Sequence, residues 1–299
     1  MIKYNPKKWF SLIFQFHRSD TFRILLPSMI LIGLYTAGFT YLELEVVEWR
    51  DGATTTVHSL LGIVLGLVLV FRTNSAYDRW WEGRKLWGAL INETRNMAMK
   101  IQAFLPEDDL HNRQFFSKYI TNYVYAMKGH LRGKINLAEL ELMQELPLQE
   151  LEKAKHVPNI IATAIYIKCN QLYRRQLISG DQFIILDKEV KALTDIVGAC
   201  ERIKNTPIPY SYSLFMKKFI FIYTMTMPLG FITSFQYWTI PVVMFVFYVL
   251  VSIELIAEEI EEPFGVDSND LPMEEMALRI KHNVREILSN THRSLVTGH

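Results

Sequence analysis

Five residues spaced by four form the most informative pattern in this sequence. Two of them, Thr55 and Ser59, are polar, and the next three are bulky and apolar: Ile63, Leu67 and Phe71. In a helix, residues four apart share one face and drift by about 40° per step, which a tilted helix absorbs. Ordinary helix packing explains such a stripe. An ion pathway also explains it, if copies around one axis form a hydrophilic entrance and then a constriction that gates by dewetting.

No motif in the sequence indicates enzyme chemistry. The patterns G-x-x-x-x-G-K-[ST], G-x-G-x-x-G, H-E-x-x-H, C-x-x-C and G-x-S-x-G do not occur. The eight histidines are scattered, and no two have metal-ligand spacing on one helix face. Cys169 and Cys200 also lack metal or redox spacing, so we expect reduced, buried thiols. The formal net charge of +1 predicts no strong attraction to nucleic acid.

Long uncharged stretches predict four membrane-crossing helices. Residues 24–42 carry no formal charge, and at about 1.5 Å per residue they nearly span a hydrocarbon core of about 30 Å. Residues 219–253 also carry no formal charge. They are too many for one helix, so we expect two helices joined by a turn near 234–236. The predicted spans are therefore 24–42, 56–72, about 216–234 and about 238–257.

The placement of lysine and arginine orients these spans. Basic residues precede the first span, follow the second and precede the third, whereas the intervening stretch ELEVVEWRD is mostly acidic. Both termini are therefore predicted to be cytoplasmic. The predicted segments are a cytosolic N-terminal segment (1–23), two spans (24–72), a cytosolic domain (73–215), two further spans (216–257) and a cytosolic C-terminal segment (258–299).

The cytosolic domain is predicted to be helical throughout. Its apolar periodicity predicts helices at 89–105, 111–131, 158–177 and 180–203. No strand pattern of any length and no internal repeat is visible. The predicted fold class is therefore an all-α membrane protein with four transmembrane helices and a helical cytosolic domain.

The junction at the end of the second span identifies a family. FRTNSAYDRWWEGRKLWG, residues 71–88, closely resembles the signature of the bacterial bestrophin homologues. HRSD, NTPIPY and EEIEEPFGVDSNDLP resemble further family landmarks in the expected order, so the resemblance covers nearly the whole chain. It implies a homopentameric ion channel of the bacterial inner membrane, with one central pore for small monovalent ions. It also implies a hydrophobic neck at Ile63, Leu67 and Phe71 and a cytosolic aperture at Ile208.

The resemblance leaves ion selectivity open. Eukaryotic relatives prefer chloride, whereas bacterial relatives include cation-selective members. The acidic outer loop favours cations if it borders the entrance; its carboxylates are Glu43, Glu45, Glu48 and Asp51. The alternative function is a secondary transporter or a membrane scaffold. A proton-coupled transporter needs ionisable residues within the membrane, and the candidates, His58 and Glu254, lie near span ends.

A calcium site is a further possibility that the resemblance raises. Eukaryotic members bind calcium through carboxylates that follow P-F-G, and Asp267 and Asp270 match two of those positions. Glu259 and Glu262 stand where the animal proteins have amides. These carboxylates do not exclude calcium, but bacterial members generally lack a functional site. We therefore expect no cofactor and no calcium, and a helix-capping role for Asp267 or Asp270.

Overall fold

The computed structural model describes residues 20–47, 55–143 and 146–289. Within these ranges the regular structure is entirely helical, which confirms the all-α prediction. The α-helices of the described residues are α1 (Asp20–Tyr41), α2 (Thr55–Phe104), α3 (Leu110–Leu131), α4 (Leu148–Lys153), α5 (Val157–Arg174), α6 (Gly180–Asn205), α7 (Tyr210–Phe235), α8 (Thr239–Glu261) and α9 (Met273–Leu288). A π-helical segment, Leu42–Val47, follows α1, and 3₁₀ turns occupy Leu137–Glu139 and Gln236–Trp238.

Three helical stretches of the described chain are long and apolar enough to cross a membrane. They are Thr21–Val47, Thr55–Phe104 and Tyr210–Glu261. The last contains α7 and α8, which the turn Gln236–Trp238 separates close to the predicted position. The backbone reverses there through Gln236, whose φ is 48°. Pro241 is the third residue of α8, where its missing N–H costs no helical hydrogen bond.

The chain divides into two compact units. For the described residues only, we call those within Ile2–Trp80 and Pro207–Glu262 the apolar unit, and those within Trp81–Thr206 and Pro263–His299 the amphipathic unit. In the apolar unit, α8 packs against α1 and α7. The buried residues of its core are Ile32, Leu65, Leu69, Met216, Ile220, Tyr223, Met227, Val243 and Phe247.

Close packing of α2 on α7 depends on Gly62. A Cβ added there would lie 2.7 Å from the hydroxyl oxygen of Tyr223, which is closer than real contacts allow. Gly66, one turn later, has no heavy atom within 4 Å of the same position. Of the two glycines in this G-x-x-x-G spacing, only Gly62 is therefore required by the packing of a single chain.

The amphipathic unit is held by α3, which packs against α5, α6 and α9. The hydroxyl of Tyr123 in α3 donates a 2.6 Å hydrogen bond to the carbonyl of Leu193 in α6. Cys169 and Cys200 are free and buried, as predicted. Burial raises the pKa of each thiol to about 12, so neither is a reactive thiolate at neutral pH.

Candidate functional site

The predicted stripe lies on a face of α2 that the rest of the chain leaves uncovered. The side chains of Ile63, Leu67 and Phe71 are 64%, 57% and 66% exposed. Leu65 and Leu69, which lie between them in sequence, are 0% and 3% exposed. Because a helix turns by about 100° per residue, residues two apart point to nearly opposite sides. The stripe is therefore outside this chain's own core, and packing within one chain does not explain it.

The two polar residues of the stripe use their hydroxyl protons within the chain. Oγ1 of Thr55 donates a 2.8 Å hydrogen bond to the carbonyl of Gly230, and Oγ of Ser59 donates one of 2.9 Å to the carbonyl of Thr55. Both residues are exposed. A hydroxyl has one proton and two lone pairs. This end of the stripe therefore presents hydrogen-bond acceptors rather than donors.

A buried arginine follows the stripe directly. Arg72 is 1% exposed, and its Nη2 lies 2.8 Å from Oε2 of Glu261 in α8. Its Nε lies 3.5 Å from Oε1 of Glu254, which is two turns earlier on the same helix and 3% exposed. A buried charge is tolerated when it is paired. The two carboxylates therefore hold Arg72, and with it the end of the stripe, against α8.

Glu261 also holds the segment that precedes α7. Its Oε1 accepts a 2.7 Å hydrogen bond from the backbone N–H of Ile208. Its own carbonyl accepts one of 3.1 Å from Nε of Arg79. Ile208 is half-buried and lies between two prolines, which restrict the backbone on both sides. One glutamate thus contacts both the residue after the stripe and the predicted aperture residue.

Both ionisable candidates for proton transport have a partner within the chain. His58 is 9% exposed, and its Nε2 lies 3.1 Å from Oγ1 of Thr226 in α7. Its ring packs so closely on Gly230 that a Cβ there would lie 3.0 Å from Nδ1. Glu254 pairs with Arg72. Each side chain therefore joins α2 to another helix of the apolar unit.

The acidic residues of the predicted outer loop contact their own chain where the structure describes them. Glu43 is 8% exposed. Glu45 is exposed and accepts a 3.0 Å hydrogen bond from the hydroxyl of Tyr237. Glu48 and Asp51 lie outside the described residues.

The acidic segment after P-F-G forms a turn. Oδ2 of Asp270 accepts a 2.7 Å hydrogen bond from the N–H of Asp267, and the N–H of Asp270 donates to the carbonyl of Asp267 at 3.2 Å. Helix α9 begins only at Met273, with Pro272 at the N-cap and no side-chain cap. The prediction that Asp267 or Asp270 caps a helix was therefore wrong. The reason is that Asp270 bonds the backbone of its own turn, which ends before α9 begins.

The remaining calcium candidates lie at the end of α8. Glu259 is half-buried within the helix, and Glu262 is exposed just after it. Asp270 is 2% exposed, and one of its two oxygens already accepts a backbone N–H. The hydrogen bond gives the Asp270 carboxylate a structural role in its own turn.

Sequence reasoning missed the ion pairs of Arg72, although one signal was present. Glu254 is the only charged residue between positions 219 and 257, and Arg72 directly follows an uncharged run. Two isolated opposite charges at the ends of apolar stretches predict a pair, because neither is stable alone in a membrane protein. Glu261 carried no such signal, since it stands among other acids.

These features define a helical membrane protein with an uncovered apolar stripe that ends at a buried ion-pair cluster. The family model for bacterial and fungal bestrophin proteins matches residues 1–286. The chain therefore belongs to the bestrophin family. The relatives are channel-forming proteins rather than enzymes, which agrees with the lack of catalytic motifs in the sequence.

Two sequence relatives and one solved structure support this membership. A protein of Nostoc sp. called a voltage-dependent anion channel-forming protein is 34% identical over 288 residues, covering 95% of this chain and 92% of that one. A protein of Escherichia coli with the same description is 28% identical over 281 residues, covering 92% and 90%. A crystal structure of a bestrophin homologue from Klebsiella pneumoniae superposes with a TM-score of 0.82 at 26% identity, covering 88% and 98%.

Proposed function

We propose that this protein is a homopentameric channel that passes small monovalent ions across the bacterial inner membrane. The exposed stripe carries the proposal: three bulky apolar side chains that a single chain leaves uncovered would face one another around a fivefold axis. Their ring would form the narrow neck, with Thr55 and Ser59 at its entrance. A hydrophobic neck of this kind blocks ions when it dewets and passes them when it widens.

The proposed channel has a second constriction at Ile208. Glu261 supports this assignment, because its carboxylate binds both Arg72 and the N–H of Ile208. A side chain that narrows a pore must be held in place, and this hydrogen bond holds the backbone of Ile208. The two constrictions would therefore share one anchor within each subunit.

The proposed topology has four crossings, with α1, the first part of α2, α7 and α8 in the membrane. Two crossings fit into Tyr210–Glu261 because a turn interrupts it. Both termini and the amphipathic unit would lie in the cytoplasm, since lysine and arginine flank the spans on that side.

For selectivity we propose a preference for cations. The entrance hydroxyls donate inward and leave lone pairs exposed, which suits cations better than anions. The exposed carboxylate of Glu45 adds negative charge on the proposed outer side. The names of the relatives from Nostoc and Escherichia coli favour the opposite result, so ion selectivity needs a direct test.

We further propose that opening does not require calcium or another cofactor. The internal hydrogen bond of Asp270 supports this view. Currents from the purified protein in a calcium chelator should match those in micromolar calcium, and a calcium-dependent rise in open probability would contradict this proposal.

The reversal potential in planar bilayers under a KCl gradient tests the channel and its selectivity. Reversal near the potassium equilibrium potential is expected; reversal near the chloride potential would overturn the cation preference but keep the channel. Saturating uptake driven by a proton gradient, without voltage-driven single openings, would favour the transporter alternative.

The neck is tested by Leu67→Ala with a matched control on the same helix. Leu67→Ala should widen the neck and increase single-channel conductance without changing the pentamer. Leu61 lies six residues earlier, about 120° around the helix from Leu67, and is only 37% exposed. Leu61→Ala should leave conductance unchanged. Equal conductance for both variants, in pentameric protein, would remove Leu67 from the constriction.

A further inference from the structure

Three metal-ligating side chains from separate helices meet in the amphipathic unit. His130 lies in the last turn of α3, His156 is the N-cap of α5, and Glu201 lies in α6. Oε1 of Glu201 is 2.5 Å from Nε2 of His130 and 2.8 Å from Nε2 of His156. The imidazole centroids are 4.4 Å apart. The sequence does not reveal this group, because His156 and His130 are 45 and 71 residues away from Glu201.

The arrangement matches what a four-coordinate metal ion requires. Two imidazoles and one carboxylate are a ligand set that zinc uses, with water in the fourth position. Metal–ligand bonds of about 2.0–2.2 Å in a tetrahedron place the ligand atoms about 3.3 Å apart. The three ligand atoms already lie within 4.8 Å of one another. Oε1 of Glu201 would need to move away from each Nε2 atom by less than 1 Å to accept the ion.

The three side chains are accessible to solvent. Their exposed fractions are 23%, 27% and 27%, so an ion can reach them from solvent. His130 also lines a cleft of about 490 Å³.

The surroundings select the class of metal. Lys155 and Lys204 line the same cleft and outnumber its one carboxylate, Glu152, so the formal charge of the cleft lining does not attract cations. Nζ of Lys204 is bound to the carbonyl of His130 at 3.0 Å. Binding must therefore come from coordinate bonds to imidazole nitrogen. Zinc-like transition metals form such bonds, whereas calcium and magnesium prefer oxygen ligands.

We propose that His130, His156 and Glu201 form a binding site for a divalent transition-metal ion of the zinc class, which ties α3, α5 and α6 together. Three existing hydrogen bonds oppose binding, because Glu201 accepts two of them from the same Nε2 atoms of His130 and His156 that would bind the ion. Nδ1 of His156 accepts a 3.1 Å hydrogen bond from the N–H of Asn159. Coordination through Nε2 places the ring proton on Nδ1, so this cap must be released. Three coordinate bonds would replace these three hydrogen bonds.

The experiment is isothermal titration calorimetry of zinc chloride into the full-length protein in detergent, with any affinity tag removed. One zinc ion per chain is expected. His156→Asn removes the imidazole ligand but keeps a good N-cap residue, so it should fold and lose at least tenfold in affinity. Glu201→Gln should lose affinity similarly. The control is His111→Ala, an exposed histidine on α3, which should bind zinc like the unmodified protein.

Cobalt provides a second readout that does not depend on affinity. Co²⁺ in a four-coordinate site with two nitrogen ligands gives intense visible bands, and these should appear with the unmodified protein and be lost in His156→Asn. An unmodified protein that binds no zinc would overturn the proposal, as would His156→Asn and Glu201→Gln variants that bind zinc as tightly as the unmodified protein. Neither measurement involves ion flux, so the result is independent of the proposed channel activity.

Discussion

Removing the carboxylate of Glu261 should loosen both ends of the proposed pore at once. This side chain pairs with the buried guanidinium of Arg72 at 2.8 Å and accepts the N–H of Ile208 at 2.7 Å. Glu261→Ala would leave a 1% exposed arginine with only the 3.5 Å contact to Glu254. It would also leave the Ile208 N–H without this acceptor. Removing one partner of a buried ion pair lowers the free energy of unfolding by about 3–5 kcal/mol.

The matched control stands one turn earlier on α8. Glu258 is half exposed and pairs with Lys217 at 3.0 Å. An exposed pair of this kind contributes about 0–1 kcal/mol. Glu258→Gln therefore removes the same formal charge from the same helix, and we expect little loss of stability. Glu261→Gln should fall between the two, because an amide still accepts a hydrogen bond from Ile208 but carries no charge for Arg72.

Thermal unfolding in detergent and single-channel recording together test the reasoning. At about 2–4 °C per kcal/mol, a loss of about 3 kcal/mol lowers the midpoint of Glu261→Ala by roughly 6–12 °C. The conductance or relative permeability of the same variant should change, since the aperture residue loses its anchor. A midpoint and a conductance equal to those of Glu258→Gln would refute the role of Glu261 as a shared anchor.

Three further outcomes are expected. Ile208→Ala should alter conductance or relative permeability in bilayers, and no effect on either would remove the second aperture. Gly62→Ala should lower the free energy of unfolding by about 1–3 kcal/mol through overpacking and so lower the unfolding midpoint, whereas Gly66→Ala should not, because only the first glycine faces Tyr223. Lys128 and its hydrogen bond lower the pKa of Glu274, so the unfolded chain binds this proton more readily. The stabilisation by the ionised carboxylate of Glu274 is therefore present above about pH 4.5 and is lost on acidification. The unfolding midpoint of Glu274→Gln should depend less on pH between 3 and 5 than that of the unmodified protein.

The helical class and the apolar stretches could be predicted from the sequence because both are local properties. Hydropathy over about twenty residues and a 3.6-residue periodicity depend only on neighbours in the chain. The predicted helices at 111–131 and 180–203 therefore correspond closely to α3 and α6. The turn between α7 and α8 was also predictable, because no single helix accommodates thirty-five uncharged residues. The spacing of the stripe likewise showed that its five residues share one face.

Only the tertiary structure decided which face of α2 is covered and which charges meet. Leu65 is buried and Leu67 exposed because α7 and α8 cover one side of the helix, and both residues are leucine in the sequence. Arg72 and Glu254 are 182 residues apart, and their contact depends on how α2 and α8 align along their lengths. His130 and Glu201 meet for the same reason. Coordination and ion pairing act over a few ångströms in space, and the order of residues along the chain does not specify those distances.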